Sequence, residues 1–411
     1  MNIKSNTESK LQYKFLFIIS TAYLAVDINI QGFLALMPFV RGEFNITRAQ
    51  AGLYSTFYFL FATMIAIYSG RIVDKIGSKK GLIFGTISVG ILIILHSLAP
   101  FFSVILILAL FTGLVFSIIT PSLNKAVMKK VSPENRATSM GIMQIGGGIG
   151  GFLGASFLPL LGEIMGWRTA ILFSGSLAIA VGLFISRYFK EDSNKNKSIH
   201  NLENKYTFKE SLIKLLKNKY LLLVCSLGFA LGTSIGSVPA HYTIYLTQDI
   251  NLSRTIAGFS LGILQIGGIV GRPAWGWISD NILKGNRNKG LILVGLSLSI
   301  ITIFYSFYIT GFNSSLYLIY ISSFILGIIA LGWMGLFFTV VAELVSEEFT
   351  GIGTGLALVF TRSGVVISPP IFGYLADVSG SYQLSWLVAG LVVLIFTVFF
   401  ILISRNMKIS K

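Results

Sequence analysis

The sequence predicts an all-helical membrane protein of twelve transmembrane helices arranged as two pseudo-symmetric six-helix bundles. Three observations carry that expectation: an apolar composition, a one-sided distribution of basic residues, and an internal repeat. Of 411 residues 54% are hydrophobic and only 12% are charged, where a soluble globular domain carries about 25% charged residues. Too few charges are present to clothe a water-exposed surface. With about 20 apolar residues needed per bilayer crossing, the chain has room for roughly a dozen crossings. The single cysteine, Cys225, excludes a disulfide scaffold. The formal charge of +16 reads as membrane orientation, not as an affinity for nucleic acid.

Apolar stretches of helical length fall at 15–39, 51–70, 81–99, 103–124, 138–161, 168–188, 219–246, 256–278, 291–310, 315–340, 351–375 and 383–404. The first follows a polar head, Met1 to Lys14, and holds Asp27, Asn29 and Gln31 without a small-residue cleavage site, which marks a retained span. Twelve crossings put both termini on one side. On that side lie Lys4, Lys10, Lys14, Arg71, Lys75, Lys79, Lys80, Lys125, Lys129, Lys130, Arg136, Lys284, Arg287, Lys289, Arg405, Lys408 and Lys411, with the basic residues between Arg187 and Lys219. The other side has Arg41, Arg48, Arg168 and Arg254. Because Lys and Arg accumulate in cytoplasmic loops, the expectation is a multi-pass protein of the cell membrane with both termini cytoplasmic.

Lys190 to Asn218 is the one long polar run, and it separates an N-terminal bundle, 1–189, from a C-terminal bundle, 219–411. Residues 190–218 are thus the interdomain linker. Its segment Phe208 to Leu216 has amphipathic spacing suited to a helix on the anionic inner leaflet, or it is a solvated connector. The halves repeat. Gly70-x-x-x-Asp74 recurs as Gly276-x-x-x-Asp280, and VSPENRATSMG (Val131 to Gly141) aligns without gaps with VSEEFTGIGTG (Val345 to Gly355), a register that pairs Gly166 with Gly380. Parallel six-span repeats imply a substrate site near the bilayer midplane.

GRIVDKIGSKKG (Gly70 to Gly81) and GWISDNILKGNRNKG (Gly276 to Gly290) resemble the signature loops of the major facilitator superfamily. The resemblance implies alternating access, with Gly70, Arg71, Asp74 and Lys80 in one half and Gly276, Asp280 and Arg287 in the other forming gate contacts. A carboxylate at a helix end can also meet the positive end of a neighbouring helix; the alternative is a surface carboxylate paired with Lys75 or Arg71. In the fifth span, GGGIGG (Gly146 to Gly151) resembles an antiporter motif of the superfamily, but Gly147 stands where that motif has proline, a departure that weakens a drug-efflux reading. GRPAWGWISD (Gly271 to Asp280), with one arginine in the eighth span and one in the eleventh, is similar to the oxalate:formate antiporter and monocarboxylate transporter branch.

Three ionisable residues fall inside spans: Asp27, Arg272 and Arg362. A charge there costs about 2.5 to 3.5 kcal/mol even on insertion scales, so its presence points to function. Arg362 is too deep to snorkel, and its planar fork of donors suits a carboxylate; its alternative is a buried pair with Asp27. Arg272 shares a helical face with Gln265, with Gly268 between them leaving room for a ligand, although Arg272 could also snorkel or join the gate. Asp27, with Gln31 one turn on, is the candidate for proton coupling, since a desolvated carboxyl gains proton affinity. His241, Gln144 and Trp333 are further candidate substrate contacts, each with a packing alternative.

The expected function is secondary transport of a small organic anion, a mono- or dicarboxylate, by proton symport or anion exchange, by a monomer that needs no cofactor and no metal. The partners are then the substrate, a proton or counter-anion, and the lipid bilayer. Amphipathic drug efflux is the alternative within that class, and a non-transporting membrane sensor the alternative outside it. No clustered acid, base and nucleophile supports an enzyme, and the glycine run Gly146 to Gly151 does not follow a strand, so a dinucleotide site fails its context.

Overall fold

The structure, a computed structural model, describes residues 2–132, 135–189, 208–307, 315–346 and 349–406. The linker stretch 190–207 and Lys408 and Lys411 of the tail lie outside the described residues. Fifteen helices follow in order: α1 (Asn2–Ala35), α2 (Met37–Phe44), α3 (Arg48–Ile76), α4 (Ser78–Ser97), α5 (Phe102–Lys130), α6 (Arg136–Met165), α7 (Trp167–Tyr188), α8 (Phe208–Leu216), α9 (Lys219–Gln248), α10 (Arg254–Trp277), α11 (Arg287–Phe307), α12 (Leu316–Gly332), α13 (Met334–Leu344), α14 (Thr350–Ser379) and α15 (Gln383–Asn406). Among the described residues, eleven helical stretches are long and apolar enough to cross a bilayer, and α3, bent by 63° between Ala66 and Tyr68, completes twelve. The α12–α13 pair counts as one span, Leu316–Leu344.

Two local features differ from the expected spans. The first span ends at Ala35, not at residue 39, because the chain breaks at Leu36 and starts α2 with Pro38 in its first turn, where a missing N–H is no loss. The eighth span does not end cleanly: α10 runs into a π turn at Ile278–Ile282, which carries Asp280 and is closed by Leu283 N–H donating to the Ile278 carbonyl. The amphipathic segment forms α8 with the expected bounds. It is seated on protein: Leu215 is buried, and the Lys214 ammonium lies 4.8 Å from the centre of the Phe349 ring at the start of α14.

The chain divides into two compact units, Met1–Glu191 with Pro239–Ile266, and Asp192–Val238 with Gly267–Lys411. In the first unit α1 packs along α6, α3 along α5 and α4 along α7; in the second, α11 packs along α15. Glycines set the closest approaches. A Cβ at Gly146, Gly150 or Gly154 of α6 would collide with the α1 backbone at Ser20, Leu24 and Ile28 respectively, a four-residue repeat on both helices. Without a hydrophobic force between helices in lipid, such backbone proximity is the main source of packing energy. The ungapped register of the two halves carries Gly150 onto Gly364 of α14, whose Cβ would collide with the Phe229 carbonyl of α9. The same register carries Gly166 onto Gly380, and both end their helices at positive φ, 84° and 79°.

At the end of the first unit remote from the termini, the far end, Glu43 of α2 is a three-way staple. It accepts hydrogen bonds from Trp167 Nε1 and from Arg168, whose guanidinium also donates to the carbonyls of Ser97 and Ala99. Burial pushes the Glu43 carboxyl up, but the hydrogen bonds from Arg168 and Trp167 and the guanidinium charge outweigh it and hold the group below 4.5. A carboxyl depressed in the folded state adds stability above its unfolded value that is lost as pH falls through the folded value. Glu43→Gln is therefore expected to lower the Tm at neutral pH, and the gap to the parent protein should close as pH drops below about 4.5. A gap that stays constant across that range in a melting series would refute the staple.

Candidate functional site

The site residues divide between the two units. In the first, Tyr23, Asp27 and Gln31 stand one turn apart on α1, and all three are half-exposed. Within a span, ionisable and amide groups face other protein groups or a water-filled cavity in preference to lipid. Gln265 of α10 donates from Nε2 to Gln31 Oε1 at 2.8 Å, joining an expected substrate contact to an expected coupling residue. Gly151 of α6 backs this amide pair, its Cβ position 3.3 Å from Gln31 Cγ and 3.4 Å from Gln265 Cγ. One turn earlier on the same helix, the Cβ position of Gly147 is 2.6 Å from Asp27 Oδ2. Gln144 is exposed on α6, while His241 of α9 is fully buried. Thr243, two residues on, donates to the Leu34 carbonyl and ties this part of α9 to α1.

In the second unit Arg362 is half-exposed on α14 and Arg272 is exposed on α10. Asp27, Gln144, His241, Arg272 and Arg362 are each engaged by at least one neighbouring group. Gly268 does not open room for a ligand as expected: its Cβ position is 2.9 Å from the Leu331 side chain, so it serves helix packing. Gly267 and Gly271 likewise face the α12 backbone at Phe324 and Ile328. Trp333 bridges α12 and α13, fully buried, with its indole N–H donated to the Ala330 carbonyl.

At the linker end, Asp74 closes α3 and accepts from Lys125 Nζ of α5 at 2.8 Å, while the same ammonium reaches the Val73 carbonyl at 3.1 Å. Neither Arg71 nor Lys80 is among the partners shown for this carboxylate, and both are exposed. In the second unit Arg287 bonds Asp280 and Ser279 and also Glu343 of α13, at 3.1 Å. Lys125 and Glu343 are the two participants that sequence reasoning missed. Their only signal is that Lys125 and Glu343 lie in the last turns of the fourth- and tenth-span helices, level with the repeated acid. Gly70 and Gly276 have open space at their Cβ positions, so packing does not require glycine at either.

Among the described residues, the first unit holds Asp27 and the Gln31–Gln265 amide pair and the second holds Arg272 and Arg362, with cations and carboxylates at helix ends of both. Such groups are of the kind that bind polar solutes. Among the described residues no group of three His, Cys, Asp or Glu side chains is placed to hold a metal.

Comparison with known proteins agrees with this geometry. Over 93% of its length the chain is 24% identical to the "Probable sulfoacetate transporter SauU" of Cupriavidus necator, covering 91% of that protein. It is 26% identical to monocarboxylate transporter 12 of Xenopus laevis over 80% of this chain and 75% of that one. Among solved structures, a bacterial homologue of the human lysosomal transporter Spinster, in an inward-facing and unoccupied conformation, superposes with a TM-score of 0.81 at 16% identity, covering 96% of this chain and 97% of that one. The sequence matches the Major Facilitator Superfamily over residues 19–364 and 242–409. With its helical spans, its repeated loop signatures and relatives that are transporters and not enzymes, the chain belongs to the Major Facilitator Superfamily of membrane transporters.

Proposed function

We propose that this protein moves a small organic anion, a mono- or dicarboxylate, across the cell membrane by alternating access, as a proton symporter or an anion exchanger. The observation that carries the reading is the inventory of charges inside the spans: two arginines, Arg272 and Arg362, against one carboxylate, Asp27. If Asp27 neutralises one guanidinium, the other keeps a net positive charge for substrate, and a guanidinium fork binds a carboxylate through two parallel hydrogen bonds. The names of two relatives, a sulfoacetate and a monocarboxylate transporter, support an anion.

Arg362 is the primary anchor in this reading, and Arg272 with Gln265 the second. Gln144 and His241 complete the polar lining, with Trp333 as support. Asp27, with Gln31, takes and releases the proton. The inner gates are Asp74, with Gly70, Arg71 and Lys80 in its loop, and Asp280 with Gly276 and Arg287. The two bundles, 1–189 and 219–411, rock about the site as a monomer, joined by the linker 190–218, with both termini in the cytoplasm.

The test is thermal stabilisation of the purified protein by a panel of small carboxylates, inorganic anions, sugars and cationic drugs at two pH values. A ligand at a hundred times its Kd adds about 2.7 kcal/mol of stability, so weak binders register at millimolar concentration. A carboxylate that raises the Tm is the expected outcome. Stabilisation confined to cationic or neutral lipophiles would overturn the anion and favour efflux.

A further inference from the structure

We infer that Gly147 is a positioning residue for Asp27: its missing side chain is the space that the Asp27 carboxylate occupies, so α6 sets the surroundings in which that acid exchanges its proton. This inference rests on the reading of Asp27 as the coupling carboxylate.

The geometry is specific to this glycine. A Cβ on Gly147 would stand 2.6 Å from Asp27 Oδ2, 2.9 Å from Tyr23 Cε1 and 3.0 Å from Tyr23 Cδ1. All three nearest atoms belong to side chains. At Gly146 and Gly150, by contrast, the closest atoms are α1 backbone at Ser20 and Leu24, so those glycines are explained by helix approach and Gly147 is not. At its level α6 presents only peptide surface to the acid. Gly151, one turn on, does the same for Gln31.

The other half of the molecule supplies an independent comparison. The register that carries Gly150 onto Gly364 carries Gly147 onto Thr361. Since Gly150 meets the Leu24 carbonyl and Gly364 the Phe229 carbonyl, Asp27 corresponds to Gly232, and a Cβ on Gly232 would meet the Thr361 carbonyl. There the close approach is to α14 backbone, as at Gly150, so a glycine that faces a carboxylate is particular to α6.

Asp27 is engaged by a neighbouring group and has these residues about it. Tyr23 lies one turn before it on α1 and Gln31 one turn after. On the other helices packed on α1, charged and histidine side chains lie toward the ends: Arg41 and Glu43 on α2; Lys79, Lys80 and His96 on α4; Lys125, Lys129 and Lys130 on α5; Arg136 and Glu163 on α6; Arg168 and Arg187 on α7. His241 of α9 lies near Thr243, which bonds the Leu34 carbonyl, about two turns toward the far end from Asp27. Beside the group that engages it, the carboxyl therefore meets a tyrosine ring and an unclothed stretch of α6, and a methyl group on Gly147 presses on both.

Dicyclohexylcarbodiimide adds to protonated carboxyl groups in apolar surroundings and remains attached as an N-acylurea, so labelling can be read at Asp27 by peptide mass spectrometry without knowing the substrate. Labelling of the reconstituted full-length protein across about pH 5 to 9 gives the proton affinity of Asp27 directly. Gly147→Ala is expected to move the labelling midpoint by about one pH unit, a tenfold change in proton affinity. Gly141→Ala, on the same helix with open space at its Cβ, is expected to leave it in place. Equal midpoints in Gly147→Ala and the parent would overturn the positioning role while leaving Asp27 as a proton carrier. Labelling absent from the parent at every pH but present in Gly147→Ala would support positioning and overturn the coupling reading; absence in both overturns both. If Gly147→Ala is too unstable to label, the Asp27→Gly/Gly147→Ala double variant decides, since it removes the carboxylate that the added methyl group would meet. Recovery of the parent Tm supports the inference, and no recovery sinks it.

Discussion

Replacing Arg362 by alanine is expected to abolish stabilisation by small carboxylates, and their uptake, while the protein still inserts and folds. Arg362 is half-exposed on a membrane-spanning helix, where holding a guanidinium costs about 2.5 to 3.5 kcal/mol on insertion scales. Removing it relieves that cost and opens no sealed core cavity. A charged hydrogen bond contributes about 1.5 to 3 kcal/mol, and a carboxylate held by two of them would lose at least a hundredfold in affinity, since each 1.4 kcal/mol is tenfold. Arg362→Lys keeps the charge and loses the fork, so its affinity should fall between the two. An Arg362→Ala protein that binds and transports a carboxylate at the parent rate would refute the anion site.

The second large effect is structural. Gly150→Val should prevent assembly of the α1–α6 pair, because its Cβ alone would press on the Leu24 carbonyl and Cα and backbone cannot turn aside as a side chain can. Overpacking a well-fitted interface costs about 1 to 3 kcal/mol, occasionally more, and this clash falls on the pair with the most extensive packing in the first unit. At about 3 °C per kcal/mol for a unit of this size, a fall in Tm of roughly 10 °C, or loss of monodisperse protein, is expected. Gly141→Val, facing open space, is the control and should melt within about 1 °C of the parent. If the two variants melt alike, close glycine packing is not what holds α1 to α6.

The repeat is where sequence and structure agree most closely. The alignment of Val131 to Gly141 with Val345 to Gly355 requires only identities along the chain, yet it places Gly150 on Gly364, which make the same close backbone approach, and Gly166 on Gly380, which share positive φ while ψ differs, 146° against -12°. Where duplicated helices approach alike, as at Gly150 and Gly364, the constraint recurs; where the partners differ, as at Gly147 and Thr361, it does not. Helix existence was equally legible, because a bilayer crossing requires a long apolar run and leaves few alternatives. Boundaries were less so. The break at Leu36 depends on Pro38 beginning a new helix, and the π turn at Asp280 depends on how the chain turns toward α11; neither alters hydrophobicity.

For the candidate site the division falls between residues and partners. That Asp27, Arg272 and Arg362 matter follows from their being charges within spans. Which group each acid meets does not follow, because partners come from helices far apart in the chain. Lys125 takes Asp74 in place of the nearby Arg71, since α5 lies along α3, and Glu343 shares Arg287 from 56 residues away. Gln31 and Gln265, separated by 234 residues, form one amide pair.

The glycines show the same boundary most sharply. By itself the sequence determined the helical class, the number of spans, the repeat and the handful of membrane charges, because those follow from the cost of placing polar groups in hydrocarbon. Only the tertiary structure decided that Gly146 and Gly150 face backbone while Gly147, between them, faces a carboxylate. Residues adjacent in sequence point about 100° apart around a helix, and what stands opposite each is chosen by how the helices pack.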